Sequence, residues 1–225
     1  MKVMILAAGR GLRMMPLTAN TPKPLLKIAN KPLIVWHIER LAQAGFKEIV
    51  INHAYLGSQI EQALGDGSEW GVSIQYSPEE DALETAGGIA NALPLLGDAP
   101  FLVVNGDVFC EIDFCLKLKA PYLAHLVMVD NPPQHAQGDF ALDTGVLNSD
   151  GPIKLTYSGV GVFSPQLFKH IVKGDSAKLA PLLISAMADS LISGEHYQGV
   201  WHDIGTPERL KLLDANMSNS ELNQP

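Results

Sequence analysis

The chain has little cysteine, little positive charge and no long hydrophobic run. Its two cysteines, Cys110 and Cys115, fit neither a metal-binding pair nor a C-x-x-C redox motif, so we expect reduced thiols in a cytoplasmic protein. Sixteen Lys and Arg residues against 24 Asp and Glu give a formal charge of −8. This balance argues against nucleic acid or an anionic membrane as a partner. No stretch approaches the ~20 apolar residues of a membrane span.

Short β-branched runs alternate along the chain with segments of helical period. This alternation predicts an α/β fold with a Rossmann-like, mixed but mostly parallel sheet flanked by helices. The predicted strands cover residues 3–6, 49–52, 72–76, 101–104, 124–129 and 159–163. We expect one domain over residues 1–217, a polar tail over 218–225, and a monomer.

Helix boundaries can be predicted from capping chemistry. The clearest helix covers residues 32–44, with Asn30 as its cap, Pro32 in its first turn and Gly45 at its end. Two more are expected to begin at Ser164 and Thr206. Residues 130–156 contain too many prolines and glycines for a helix, and they predict loops and a hairpin laid over the sheet.

The first motif is the long loop that follows the first strand. It offers Gly9 and Gly11 for close backbone approach, Arg13 as a planar fork for phosphate oxygens, and Lys23 between two prolines. Neither a P-loop nor a dinucleotide fingerprint is present, because Gly-Lys-Ser/Thr is missing and prolines forbid a helix directly after the turn. Any one of these residues fits an ordinary turn, but together they predict a polyphosphate site.

Two carboxylates predict a metal. Asp107 follows the continuous apolar strand 101–104 through Asn105-Gly106, and ligands of parallel sheets bind at the carboxyl ends of strands. Asn-Gly also fits a tight hairpin turn. Asp203 alone fits a turn, and it gains weight as a second ligand only from Asp107. Hard oxygen ligands without a Cys/His cluster favour Mg²⁺ over Zn²⁺.

Small residues at 85–88 open a helix after the third strand, which fits either a plain strand-to-helix turn or backbone groups facing a flat base. The seven histidines show no metal-ligand spacing, and no G-x-S-x-G elbow is present. The sequence therefore argues against a nucleophilic hydrolase.

Together the motifs L-A-A-G-x-G-x-R, P-L-T and P-K-P-L resemble the amino-terminal signature of the sugar-1-phosphate nucleotidyltransferases. The resemblance runs from residue 2 to about 213. It is strongest to the branch that uridylylates N-acetylmuramate 1-phosphate in peptidoglycan recycling, through residues 52–57, 83–85, 129–132, 138–140, 178–183 and 193–197. The expected substrates are therefore UTP and that sugar phosphate.

The resemblance also implies roles for particular residues. It makes Arg13 and Lys23 the catalytic cations and Asp107 and Asp203 the Mg²⁺ ligands. The implied nucleotide pocket consists of Ala7, Ala8, Gly9, Gly11, Leu12, Arg13, Lys23, Gly88 and Asn105. The resemblance also makes the loop-rich residues 130–156 a sugar-binding lobe. The Glu-Lys-Pro by which many relatives hold a hexose is absent between Phe140 and Tyr157, so Asp139 and Ser158 are predicted as sugar contacts without a motif behind them.

Three alternatives stay open at this point. Within the family, guanylyl transfer to mannose 1-phosphate or transfer to another hexose 1-phosphate is the second choice. A nucleotide-sugar glycosyltransferase also places an acidic metal motif after a strand, but it does not need Arg13 and Lys23 to hold a triphosphate. A regulatory module would bind nucleotide without turnover.

Overall fold

The computed structural model describes the backbone of residues 1–222 and the side chains of residues 1–217. Its strands are β1 (Val3–Leu6), β2 (Lys27–Ile28), β3 (Lys31–Pro32), β4 (Glu48–His53), β5 (Ser73–Pro78), β6 (Phe101–Asn105), β7 (Val108–Cys110), β8 (Ala124–Val129), β9 (Ala141–Asp143), β10 (Val146–Asn148), β11 (Thr156–Phe163), β12 (Ile192–His196) and β13 (Trp201–Asp203). Its α-helices are α1 (Leu33–Gln43), α2 (Gly57–Leu64), α3 (Glu84–Leu96), α4 (Leu179–Ala188) and α5 (Pro207–Leu222). None of the described helices meets the length and hydropathy of a membrane span.

A nine-stranded sheet forms the centre of the molecule, in the order β5-β4-β1-β6-β11-β8-β12-β10-β9. Strands β10 and β11 run against the direction of the others, which confirms the predicted mixed but mostly parallel sheet. Strand β1 lies in parallel between β4 and β6, and Leu6 is level with Asn52 on one side and Asn105 on the other. The carboxyl ends of these strands therefore meet at one edge.

Buried side chains cover both faces of this sheet. Val3 and Ile5 of β1 face the layer that contains Ile38 of α1, whereas Met4 faces the layer that contains Ile89 of α3. All five are fully buried or nearly so, which explains why the parallel strands are continuously apolar. A smaller cluster of Met14, Ile28, Leu33, Phe109, Ile204, Leu210 and Leu213 anchors the loop after β1 against α5.

The predicted strands are all present, two of them with the predicted bounds. The cap predicted for α1 is wrong: Asn30 lies in the left-handed region with φ 61°, and Pro32 pairs in a two-stranded ribbon before the helix begins at Leu33. Ser164 does cap, accepting from Gln166 N at 3.3 Å, but only a 3₁₀ turn follows. Thr206 Oγ1 accepts from Arg209 N at 3.4 Å at the start of α5.

The hairpin predicted within residues 130–156 is present as β9 and β10. Its predicted position over the sheet is wrong, because Val146 pairs with Ser193 and the hairpin extends the edge of the sheet. Strand β12, which receives it, has the sequence Ile-Ser-Gly-Glu-His and lacks the apolar run that marks the other strands. Helix α5 continues to Leu222, and residues 223–225 of the predicted tail lie outside the described residues.

Candidate active site

A cleft of about 360 Å³ opens at the carboxyl ends of the parallel strands β1, β4, β5 and β6. This edge of an α/β sheet is where ligands generally bind. Five residues of the predicted nucleotide pocket line the cleft, namely Ala7, Ala8, Gly9, Lys23 and Asn105. Its other lining residues are Leu6, Pro24, Asn52, Glu79, Ala82, Glu84, Thr85, Gly106 and Asp107.

A buried cation and a carboxylate meet in the wall of this cleft. Lys23 begins a 3₁₀ turn between two prolines and is 7% exposed, and its Nζ lies 2.8 Å from Asp107 Oδ2. Gly106 lets the backbone before Asp107 pass close to the end of β1, because a Cβ on Gly106 would lie 2.6 Å from the Leu6 carbonyl oxygen. A fixed positive charge at this position is suited to the phosphates of a ligand.

A second buried group braces the cleft, and the sequence analysis missed it. Asn52 Oδ1 accepts from Ala7 N at 2.9 Å, while Asn52 Nδ2 donates to Glu79 Oε1 at 2.7 Å. Glu79 Oε2 in turn accepts from Leu83 N at 2.9 Å. This Asn52–Glu79 pair joins the ends of β1, β4 and β5 to the start of α3. The sequence signal for this pair was Asn52 itself, a polar residue at the end of an apolar strand.

Gly88 lies behind this wall. A Cβ on Gly88 would lie 2.8 Å from both Asn52 Nδ2 and Glu79 Oε1, so only glycine lets α3 approach the pair this closely. Gly88 is buried and does not line the cleft of this structure. Its contribution here is to the packing of the helix against the site.

The loop between β1 and Lys23 places its other predicted residues outside the cleft. Gly11 has φ 65°, and its carbonyl accepts from Thr18 Oγ1 at 2.8 Å. Leu12 and Arg13 follow on a 3₁₀ turn and are exposed. The phosphate contact of Arg13 therefore stays a prediction.

The two carboxylates predicted as metal ligands come from neighbouring strands. Strand β13 pairs with β7 so that Asp203 lies opposite Val108, and Ile204 N donates to the Asp107 carbonyl at 3.0 Å. Asp203 forms an ion pair with Arg209, and a Cβ on Gly205 would lie 2.5 Å from an Arg209 Nη.

This donor set fits Mg²⁺. No group of three or more His, Cys, Asp or Glu side chains suited to a metal occurs among the described residues, so the protein alone does not form a full cage. Mg²⁺ is commonly held by one or two carboxylates together with substrate phosphates. Asp107 lines the first cleft and can meet that requirement together with a bound phosphate. Asp203 does not line the cleft, so its place as a second ligand stays a prediction.

A second cleft, of about 280 Å³, shares Glu84, Thr85 and Asn105 with the first. Gly159 in β11 accommodates Asn105, since a Cβ there would lie 2.7 Å from Asn105 Cγ. The remaining lining residues are Asp139, Phe140, Tyr157, Lys178, Leu179, Ala180 and Leu183. The two clefts form one continuous surface, with Asn105 at the junction.

The two predicted sugar residues differ in position. Asp139 lines the second cleft, and its oxygens accept from Tyr157 N at 2.8 Å and contact His135 Nε2 at 3.0 Å. Ser158 does not line it: the side chain is fully buried, and its Oγ accepts from Val160 N at 3.1 Å. Strand alternation explains why Ser158 is turned away while its neighbour Tyr157 lines the cleft, because adjacent residues of a strand point to opposite faces.

Tyr157 is a candidate that the sequence analysis missed. Its hydroxyl is buried without a hydrogen-bond partner among the described residues, and burial raises its pKa well above the usual value. The residue lines the second cleft, whereas its hydroxyl is enclosed by the surrounding protein.

The fold and the site place the protein among α/β proteins whose ligand cleft lies at the carboxyl ends of parallel strands. The nucleotidyl transferase family model matches residues 2–221, and the chain belongs to that family. It is 58% identical to the N-acetylmuramate alpha-1-phosphate uridylyltransferase of Neisseria meningitidis serogroup B, over 96% of this chain and 97% of that protein. It is 30% identical to the mannose-1-phosphate guanylyltransferase of Mycobacterium tuberculosis, but the match covers only 61% of that longer protein.

Solved structures support the fold. A Bacillus anthracis protein provisionally assigned as a glucose-1-phosphate thymidylyltransferase superposes with a TM-score of 0.83 at 20% identity, over 96% of this chain and 94% of that one. HddC from Yersinia pseudotuberculosis, solved with GMP-PN, superposes with a TM-score of 0.77 at 21% identity, over 96% of this chain and 99% of that one. At these identities the likeness concerns architecture alone.

Proposed function

We propose that this protein transfers UMP from UTP to N-acetylmuramate 1-phosphate, forming UDP-N-acetylmuramate and pyrophosphate. The observation that carries the proposal is the pair of adjoining clefts, with an ion pair between the buried Lys23 and the partly exposed Asp107 in the wall of the first. One cleft suits a nucleotide and the other a sugar. Identity of 58% over nearly the whole chain supports the choice of substrates.

The reaction is a displacement at the α-phosphorus of UTP. A phosphate oxygen of the sugar phosphate forms the new bond to that phosphorus, and the bond to the pyrophosphate oxygen breaks. The sugar phosphate has a second pKa of about 6, so it is a dianion at neutral pH and needs no general base. This accounts for an active site without a catalytic histidine.

Catalysis of such a step consists of positioning and charge stabilisation. Lys23 is held by its two flanking prolines and by Asp107, so its ammonium group stabilises charge on the triphosphate without reorganising. Arg13 is the second cation, and it lies on the exposed part of the same loop. Asn105, which lines both clefts, lies where the two substrates meet.

We assign Asp107 and Asp203 as the carboxylates that hold Mg²⁺. When bound, the ion supplies positive charge that brings the two anionic substrates together. Asp107 also pairs with Lys23, and Asp203 with Arg209.

The test is a turnover matrix of UTP, GTP, CTP, ATP and dTTP against several sugar 1-phosphates, measured by pyrophosphate release. UTP with N-acetylmuramate 1-phosphate is expected to give the highest kcat/KM. An equal or higher value for GTP with mannose 1-phosphate would overturn the proposal in favour of guanylyl transfer. Nucleotide-sugar consumption without pyrophosphate release would instead indicate a glycosyltransferase.

A further inference from the structure

Lys178 is a cation that the mechanism does not use. It lines the second cleft but not the first, and it is exposed. Among residues 1–217 its side chain makes no hydrogen bond or ion pair. Its ammonium group is therefore available to an anionic group of a ligand.

The backbone next to Lys178 is firmly held. The carbonyl of Ala177 accepts from Ala86 N at 2.9 Å and from Gly87 N at 3.0 Å, and Ala177 N donates to the Leu83 carbonyl at 3.0 Å. These bonds fasten the start of α4 onto the start of α3. Lys178 is therefore carried at a defined point of the cleft rather than on a free loop.

The rest of the second cleft divides into an apolar and a polar part. Leu179, Leu183 and Phe140 form buried apolar wall, while Asp139 has both carboxylate oxygens in use. The buried Tyr157 hydroxyl lacks a partner among the described residues. Lys178 is thus an exposed cation in a cleft that also offers an apolar wall, a combination suited to an acidic, partly apolar substituent.

N-acetylmuramate differs from N-acetylglucosamine by a lactyl ether on C3, which carries a methyl group and a carboxylate. We propose that Lys178 binds this lactyl carboxylate and so makes the site selective for N-acetylmuramate 1-phosphate. The inference rests on the proposed function. It assigns Lys178 as a specificity residue and leaves catalysis to Lys23 and Arg13.

The test combines a change in the protein with a matching change in the substrate. Wild type and Lys178→Met are compared on N-acetylmuramate 1-phosphate, on its lactyl carboxamide, and on N-acetylglucosamine 1-phosphate, all with UTP. For wild type we expect kcat/KM to fall about tenfold from the acid to the carboxamide, since a hydrogen bond to a charged group contributes on this scale and an exposed cation is partly screened.

Lys178→Met is expected to lose about tenfold on the acid, to use acid and carboxamide equally, and to keep its activity on N-acetylglucosamine 1-phosphate. Lys178→Arg should restore the preference for the acid. Lys173→Met is the matched control, since Lys173 is exposed in the same segment but does not line the cleft.

The other outcomes overturn the inference. An equal loss on all three acceptors would mean that Lys178 contacts a shared group such as the phosphate, or serves only the structure. An unchanged Lys178→Met would mean that the carboxylate lies elsewhere. Failure of the proposed function is distinguishable from both, because wild type would then not use N-acetylmuramate 1-phosphate at all.

Discussion

The two halves of the site are built in different ways. The phosphate half, which consists of Lys23, Asp107, Asn52 and Glu79, is held by buried hydrogen bonds and an ion pair at the ends of parallel strands. The sugar half, which consists of Asp139, Tyr157 and Lys178 with their apolar neighbours, combines β11, the 130–156 loops and the start of α4.

The difference indicates a division of labour. Chemistry that depends on electrostatic stabilisation requires groups that do not move, and burial provides this in the phosphate half. Substrate choice depends on shape and on a few free polar groups, and the sugar half carries Lys178 as such a group at its surface. Changes in the first half should therefore lower turnover, whereas changes in the second should alter which acceptor is used.

The largest effect is expected from Asp107→Asn. Removing this charge from the proposed Mg²⁺ site without changing its shape should abolish turnover at every Mg²⁺ concentration, with the fold intact. Pyrophosphate release over a Mg²⁺ titration and a melting curve measure both effects, and Asp203→Asn should behave similarly. Asp98→Asn is the control, because Asp98 is exposed before β6 rather than after it. Full activity of Asp107→Asn would refute the metal assignment.

Lys23→Met should come next. Loss of the buried ammonium group is expected to remove about 2–4 kcal/mol of transition-state stabilisation, as for other preorganised groups. The value of kcat should fall accordingly. Lys27→Met, on the exposed side of β2, should leave kcat unchanged.

Arg13→Lys should keep only part of the wild-type rate, because an ammonium group lacks the two-pronged contact that a guanidinium makes with phosphate oxygens. Wild-type kinetics in Arg13→Lys would reduce Arg13 to a nearby charge.

A pH effect is expected beneath the phosphate half. His37 is buried, with Nε2 2.7 Å from the Val108 carbonyl, and burial lowers its pKa from 6.5 to about 4. The unfolded chain therefore binds this proton first as pH falls. The free energy of unfolding therefore falls as the pH drops from 6.5 to about 4, by about 3 kcal/mol in total.

Urea unfolding from pH 7.5 to 4.5 measures this loss. His37→Gln should flatten the pH dependence, whereas His170→Gln, at an exposed position, should retain it. If the free energy of unfolding of His37→Gln depends on pH as strongly as that of wild type, other groups cause the loss of stability in acid.

Asn52→Ala tests whether the Asn52–Glu79 pair stabilises the phosphate half. It leaves the Ala7 amide and the buried Glu79 carboxylate without their shared partner, at a cost of about 1–3 kcal/mol in the free energy of unfolding. We also expect a higher KM for UTP, measured by initial rates. Asn91→Ala, which removes one partly buried bond to Ser77, should cost less than about 1 kcal/mol. Equal effects of the two changes would contradict a bracing role.

The smallest effect is expected from Ser158→Ala. Its hydroxyl supports only the turn to Val160, so acceptor KM should stay within about twofold and stability should fall by about 0.5–1.5 kcal/mol. Asp139→Ala should raise acceptor KM more, since it releases the Tyr157 backbone and His135 in the second cleft. A larger kinetic defect in Ser158→Ala than in Asp139→Ala would reverse these assignments.

Local chemistry explains what was predictable from sequence. The apolar runs of β1, β4 and β6 require burial on both faces, and that pattern alone predicts a parallel sheet with a site at its carboxyl edge. Lys23 between two prolines was recognisable for a similar reason, because its constraint comes from adjacent residues. The position of β12 was not predictable, since its polar sequence becomes a strand only by pairing with β8 and β10.

The sequence by itself determined the six predicted strands, the proline-flanked Lys23 in the loop after β1, and the carboxylates after β6 and in β13. Only the tertiary structure decided which groups share a site: Asn52 with Glu79, Asp139 with Lys178, and Ser158 away from the cleft. Strand and helix patterns follow from side chains a few residues apart. Pairings across 25 or more residues depend on how the sheet closes, which local periodicity does not encode.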